Sequence, residues 1–244
     1  MSRRRFESLA RTSRPMLYQW ILFDADGTLF DYDRAEAEAL AETWRQAGLE
    51  PAAEVFAAYR RINGNLWREF ERGEISQQHL RATRFSRLLH ELELDADPAA
   101  VSAAYLRNLS RCSQLLDGAA ELLAFLHGRL GLVLLTNGIP DVQRPRIEGS
   151  GIAQLFAAVV ISGEVGAAKP SREIFDEAFR RMGDPAREEV LIVGDSLSSD
   201  IRGGAGYGID TCWFNPQQRP REEGCEISYE IQRLDELPPI LGLR

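Results

Sequence analysis

Two aspartates separated by one residue, Asp24 and Asp26, stand at the end of the apolar run Trp20-Ile21-Leu22-Phe23, and Gly27-Thr28 turn the chain immediately afterwards. Carboxylates so placed can divide a phosphoryl transfer between them. One attacks phosphorus to form an aspartyl-phosphate, which splits a hard displacement into two easier ones. The other protonates the leaving oxygen and then takes a proton from water. An Asp-x-Asp pair alone equally describes a capped turn. A third carboxylate, Asp195 in Gly194-Asp195-Ser196-Leu197-Ser198-Ser199-Asp200, follows another apolar run, Val190 to Val193, and tips the balance toward chemistry. Negative charge this concentrated calls for a cation. Mg²⁺ suits it, because that ion takes carboxylate, carbonyl and phosphate oxygens while keeping several waters.

Lysine and arginine together number 29, and Lys169 is the only lysine among them. Solubility and surface charge could have used arginine here too. A site that wants a compact, rotatable ammonium could not. Lys169 is therefore a functional candidate, set against the plainer reading of one residual surface lysine.

The elements that must position these residues read as an α/β protein. Trp20 to Phe23 before Asp24, Leu132 to Leu135 before Thr136, Val159 to Ile161 before Ser162 and Val190 to Val193 before Gly194-Asp195 are short apolar runs, as in strands buried on both faces. Ile174, Phe175, Ala178, Phe179 and Met182 fall on one helical face after Pro170. Alternating strands and helices predict a doubly wound parallel sheet, a Rossmann-like core, with ligands bound outside the carboxyl ends of the strands. Asp24, Thr136, Ser162 and Asp195 would all lie there.

The first strand is followed by a long gap before Leu132, filled by helical stripes such as Ala37, Leu40, Ala41 and Trp44 and then Val55, Phe56, Tyr59 and Ile62. This predicts an inserted all-helical cap over 32–113, with the core formed by 16–31 and 114–244. Asn63-Gly64-Asn65-Leu66-Trp67 is expected to interrupt or decorate a cap helix, and Arg72-Gly73-Glu74-Ile75-Ser76 to make a turn. Trp67 and Phe70, at helical spacing, fit core packing. The glycine run from Gly203 to Gly208 follows a helix rather than a strand, so it is assigned to helix-end packing and not to a dinucleotide site. The stretch from Asn215 to Ser228 reads as a surface loop before a short final strand and helix.

Composition narrows the function classes. A chain of 244 residues with 44% hydrophobic residues can build a real core. A formal net charge of −8 argues against a nucleic-acid polymer as the main partner, though not against a small nucleotide. Cys112, Cys212 and Cys225 form no C-x-x-C pair and read as buried thiols of a reducing compartment, by default the cytoplasm. No apolar run approaches the roughly 20 residues of a membrane span. Residues 1–15, with Arg3, Arg4, Arg5, Arg11 and Arg14, read as a disordered extension or an over-long start before Met16, and less well as a transit peptide. His79, His90 and His127 sit on helical patterns away from the strand ends, which disfavours a serine–histidine hydrolase or a histidine metal site.

With these motifs in order, the chain after Met16 resembles the haloacid dehalogenase superfamily of phosphohydrolases. The resemblance implies Asp24 as nucleophile and Mg²⁺ ligand, and Asp26 as general acid/base whose backbone carbonyl also binds the metal. Asp195 would be the remaining metal carboxylate, with Asp200 in the outer metal shell. Thr136, in Leu135-Thr136-Asn137-Gly138, would bond the phosphoryl oxygens, with Asn137 beside it in the substrate site. Lys169, in Ala168-Lys169-Pro170, would steady Asp24 and the transferring charge. Dehalogenase relatives lack an acid at the position of Asp26, and phosphonate-cleaving relatives need a cap lysine that this chain lacks.

Trp20 to Asp26, Asn65-Leu66-Trp67 with Gly73-Glu74-Ile75, Val160 to Gly166 and Cys212 to Asn215 resemble pyrimidine 5′-nucleotidases in particular. That implies uridine, deoxyuridine and thymidine monophosphates as substrates, with Asn63, Asn65 and Trp67 as contacts to base or sugar. Gly27 departs from the glutamate of those relatives. The partner is then a small phosphorylated metabolite, foremost a nucleoside monophosphate, with no nucleic-acid polymer and no membrane, on a monomer or homodimer. A sugar-phosphate or phosphoglycolate phosphatase, a phosphomutase and a non-catalytic nucleotide sensor remain alternatives.

Overall fold

The computed structural model describes residues 17–243, so the extension expected over 1–15 lies outside the described residues. Six parallel strands, β1 (Trp20–Phe23), β2 (Gly131–Thr136), β3 (Ala158–Ile161), β4 (Val190–Gly194), β5 (Asp210–Phe214) and β6 (Tyr229–Ile231), form one sheet in the order β3-β2-β1-β4-β5-β6. The four apolar runs become β1 to β4. Two further strands extend the sheet, and β5 begins on a polar residue, which shortens its apolar signal to Cys212-Trp213-Phe214.

Alternation explains why the central strands read as unbroken apolar runs. Ile21, Phe23, Leu132, Leu134, Leu191 and Val193 face one side, packed on α5 (Ala119–Leu126) and on α10 (Leu237–Ile240) near the carboxyl end. Leu22, Val133, Leu135 and Ile192 face the other, against α8 (Arg172–Met182) and Tyr207 of α9 (Arg202–Tyr207). Both faces are therefore covered, as a parallel sheet requires. The expected helix-end glycines Gly203 and Gly204 lie inside α9 itself. A side chain on Gly204 would meet Ile192 of the sheet at 2.5 Å, so the run buys close helix–sheet approach.

Between β1 and α5 lie four helices, α1 (Tyr32–Gln46), α2 (Ala53–Glu71), α3 (Gln77–Glu91) and α4 (Pro98–Leu109), around their own apolar cluster of Ala39, Trp44, Tyr59, Leu66, Leu80, Phe85 and neighbours. Their starts are marked chemically. Asp31, Ser76 and Asp97 accept from backbone N–H groups at the starts of α1, α3 and α4, and Pro98 opens α4. Of the two expectations for Asn63-Gly64-Asn65, the segment decorates a helix rather than interrupting it: α2 runs unbroken through it. One interior glycine costs about 1 kcal/mol, less than the burial of Val55, Tyr59, Ile62 and Leu66 on the same stripe returns.

The chain leaves and re-enters the core along one seam: Leu116 N–H donates to Leu29 O at 2.8 Å, and Asp31 N–H to Gln114 O at 3.0 Å. Two small helices, α6 (Pro140–Gly149) and α7 (Ser162–Val165), follow β2 and β3. Ile139 and Val142 join the apolar cluster of the helical insertion, so the start of α6 is where the insertion rests on the core. Among the described residues no helix is long and apolar enough to cross a membrane. Cys112 and Cys212 are buried and Cys225 half-buried, all as free thiols.

Candidate active site

Strand order reverses about β1, whose neighbours are β2 and β4, and this is the switch point where open α/β sheets bind ligands. Asp24 follows β1, with its N–H donating to Val193 O at 2.9 Å, and Asp195 follows β4. Lys169 is 1% exposed and spends all three ammonium protons: on Asp24 Oδ1 at 2.5 Å, Asp200 Oδ1 at 2.7 Å and Leu135 O at 2.7 Å. The lone lysine is thus a buried, threefold donor at the base of the site.

Asp200 arrives through local irregularity. Residues Leu197–Ile201 form one wide π turn, in which Ile201 N–H reaches back to Ser196 O, and Asp200 Oδ2 accepts from Ser196 N–H at 3.0 Å. The approach is so close that a Cβ on Gly194 would lie 2.2 Å from the Asp200 carboxyl carbon. Gly27 takes φ +85°, and a Cβ there would touch the Asp195 carboxylate at 3.0 Å, which gives that departure from the nucleotidase pattern a local cost if any side chain is restored.

Carboxylate oxygens of Asp24, Asp195 and Asp200 lie within 4.8 Å of one another. Three carboxylates face one buried ammonium, with the half-exposed Arg219 3.7 Å from Asp195 at the edge, which leaves an excess of negative charge that a hard divalent cation fits. The titration of the group records the same excess. Burial pushes Asp24 well up, with Lys169 opposing and Asp200 and Asp195 adding repulsion. Burial, then Asp200, pushes Asp195 up to about 7. Burial works against the Lys169 charge, but Asp200 and Asp24 outweigh it and hold that ammonium protonated.

A stability prediction follows from the sign of these shifts. Unfolded aspartates release their protons near pH 4, roughly, while the folded chain holds them until about 7 at Asp195. In that window the native state binds more protons, so stability falls as pH rises. Thermal melts in EDTA should show Tm dropping between about pH 5 and about pH 7.5, and added Mg²⁺ should restore more of it at the higher pH. A flat Tm, or an equal Mg²⁺ increment at both ends, would contradict the charge excess.

Asp26 is held on the far side of the site by residues that the sequence reading passed over. Arg146, 1% exposed, donates from Nη1 to Asp26 Oδ1 at 2.6 Å, and Gln143 Nε2 donates to Asp26 Oδ2 at 2.9 Å and to Thr136 Oγ1 at 3.0 Å. Both lie on α6, directly after Thr136-Asn137, and their i, i+3 spacing on the first helix beyond a strand end was the available signal. Asn137 lines the cavity, yet its amide serves the loop: Oδ1 accepts from Lys169 N–H at 2.7 Å and Nδ2 donates to Lys169 O at 2.8 Å.

These groups line a cavity of about 200 Å³ whose roof is Tyr32, Trp67 and Glu71 of the helical insertion. Glu71 bridges to the core by accepting from Ser198 Oγ at 2.7 Å, and burial raises its carboxyl. Trp67 both packs on Phe70 and lines the cavity. Asn63 and Asn65 are not brought there. Asn63 is buried in the insertion, donating to Glu36 at 3.1 Å and accepting from Arg84 at 3.2 Å, and Asn65 accepts from Arg68 one turn along. Ser162 is also apart, buried at the start of α7 beneath Gly138, because β3 is two strands, ~10 Å, from β1. The 215–228 loop contributes instead: Arg219 donates to Asp195 O at 2.6 Å.

An acid cluster at the switch point of a parallel sheet, roofed by helices inserted in the first crossover, is the layout of a capped α/β hydrolase. The chain belongs to the haloacid dehalogenase-like hydrolase family, whose model matches residues 18–208. It is 38% identical over 226 residues to the HAD-hydrolase YfnB of Bacillus subtilis, covering 93% of this chain and 96% of that protein. It is 35% identical to the pyrimidine 5′-nucleotidase YjjG of Escherichia coli, covering 93% and 99%, and 34% identical to the pyrimidine 5′-nucleotidase PynA of Streptococcus pneumoniae, covering 91% and 94%. The crystal structure of YfnB bound to magnesium matches with a TM-score of 0.87, over 92% of this chain and 98% of that one.

Proposed function

We propose that this chain is a Mg²⁺-dependent phosphomonoesterase that releases phosphate from pyrimidine nucleoside 5′-monophosphates through an aspartyl-phosphate on Asp24. The observation that carries the reading is the unequal treatment of the two Asp24 oxygens. Lys169 holds Oδ1, while among the described residues no donor bonds Oδ2, which is left to attack in the cavity that Asp26 also lines.

In the first half-reaction an Asp24 oxygen forms the bond to phosphorus as the ester P–O bond breaks, and Asp26 gives its proton to the departing alkoxide. In the second, Asp26 takes a proton from water as the water oxygen attacks phosphorus, which frees inorganic phosphate and regenerates Asp24. Thr136 offers its hydroxyl to the equatorial oxygens, where charge is spread during transfer, and Lys169, its protons committed to Asp24, Asp200 and Leu135, offers its positive charge close by. Asp24, Asp195 and the Asp26 carbonyl would hold Mg²⁺, with Asp200 behind them; bound there, the ion neutralises phosphoryl charge. Asn137 acts as a positioning residue for Lys169, and Gln143 with Arg146 as positioning residues for Asp26.

The choice of substrate rests on the nucleotidase relatives, similar along more than nine-tenths of this chain, and on a cavity of about 200 Å³ with an indole in its wall. Phosphate release should be assayed on nucleoside monophosphates, sugar phosphates and phosphoglycolate, each with Mg²⁺ and with EDTA. Metal-dependent release concentrated on UMP, dUMP and TMP is the expected result. Preference for a sugar phosphate or phosphoglycolate would keep the mechanism and discard the nucleotidase assignment, and release unaffected by EDTA would discard the metal.

A further inference from the structure

Arg84 sits on α3 in the interior of the helical insertion, 1% exposed. Among the described residues only one of its nitrogens is satisfied: Nη1 donates to Asn63 Oδ1 at 3.2 Å, while Nε and Nη2 have no partner there. Those two N–H groups form one edge of the guanidinium, the edge that makes paired hydrogen bonds. Charged donors that are buried and unmet are costly enough to require an explanation.

The surroundings say what that edge would accept. Arg84 lines a hollow of about 30 Å³ that shares Asp26, Tyr32, Trp67 and Gly138 with the catalytic cavity. Aromatic rings hold the guanidinium in place, with Cζ 4.8 Å from the Tyr105 centroid and 5.2 Å from that of Phe85. Glu36 pairs with Arg60 at 3.4 Å and reaches Arg84 only through the Asn63 amide, while Arg146 pairs with Asp26. With the Asp26 carboxylate lining the same hollow, the free edge suits a neutral acceptor better than another anion. The hollow has room for the edge of a ring and not for a ring, so the bulk of a leaving group would stay in the larger cavity beside Trp67.

We propose that Arg84 reads the leaving group, its free edge donating to a carbonyl oxygen on the pyrimidine ring, with Asn63 as its positioning residue. The inference rests on the nucleotidase reading and names the residue that sets its specificity. Asn63 then matters to substrate choice without touching substrate.

The test compares UMP with a ring isostere, the 5′-monophosphate of a phenyl C-riboside, which has the same shape and no ring acceptors. Wild-type protein with Mg²⁺ should prefer UMP by about 100-fold in kcat/KM, since a site built around donors rejects a ligand that leaves them unpaired. In Arg84→Met the preference should collapse to within about threefold of unity. A variant that keeps the wild-type preference overturns the assignment. So does a wild-type protein that cleaves both esters equally, a result that needs no variant and stands even if Arg84→Met fails to fold. Either result leaves the nucleotidase reading intact wherever UMP is cleaved. Wild-type protein that spares UMP while cleaving another ester overturns both.

Discussion

Asp24→Asn is expected to lower phosphate release by about 10⁴-fold or more while leaving the protein folded. The amide keeps the shape of the carboxylate and removes the nucleophile, so binding of the product nucleoside should persist. The charge balance makes the result separable from misfolding. With Asp24 neutral, two carboxylates, Asp195 and Asp200, face the Lys169 ammonium instead of three. Metal-free stability should therefore hold or rise, and the stabilisation by Mg²⁺ should shrink. Phosphate release near the wild-type rate would end the covalent mechanism. A lower Tm in EDTA would show that the excess negative charge is compensated by something other than the proposed cation.

Lys169→Arg should cost about 10² to 10³ in kcat/KM despite preserving the charge. The ammonium points its three protons at Asp24 Oδ1, Asp200 Oδ1 and Leu135 O from one nitrogen, at 2.5 to 2.7 Å, in a pocket 1% exposed. A planar guanidinium cannot direct donors to three such acceptors from one point. Its greater volume must also push against the strand end, an overpacking of about 1–3 kcal/mol. The expected signature is a fall in kcat together with a lower Tm. Activity within about threefold of wild type would return this lysine to the status of an ordinary cation. The variant also tests Asn137 indirectly, because both ends of that amide bond the Lys169 backbone and should hold the loop whatever side chain it carries.

The convergence of the acids in the candidate site was readable in the sequence for a topological reason. In a parallel doubly wound sheet, the residue after each central strand is delivered to the same edge, so apolar runs ending in Asp24, Thr136 and Asp195 already imply convergence. The rule failed at Ser162 because run endings do not reveal strand order, and β3 proved to be two places from β1. The solitary lysine announced itself by composition. Its three acceptors, supplied from after β1, from β2 and from the π turn beyond β4, could not be read there.

The insertion was legible as helices and little further. Asn63 and Arg84 lie at apolar-stripe positions, Arg84 between Leu80 and Leu88 at four-residue spacing. A charge in such a stripe is a signal of a buried polar function, and it passed unused because periodicity tells which face is inward but not what that face meets. Sequence by itself determined the acids, the lysine, the strand ends that carry most of them and the helical nature of the roof, since these depend on local pattern and on chain topology. Tertiary structure alone decided that Asn63 faces Arg84 rather than the cavity, that Gln143 and Arg146 hold Asp26, and that Glu71 closes on Ser198. Those pairings depend on how independently packed helices dock on a sheet, and docking is set by contacts between residues far apart in the chain.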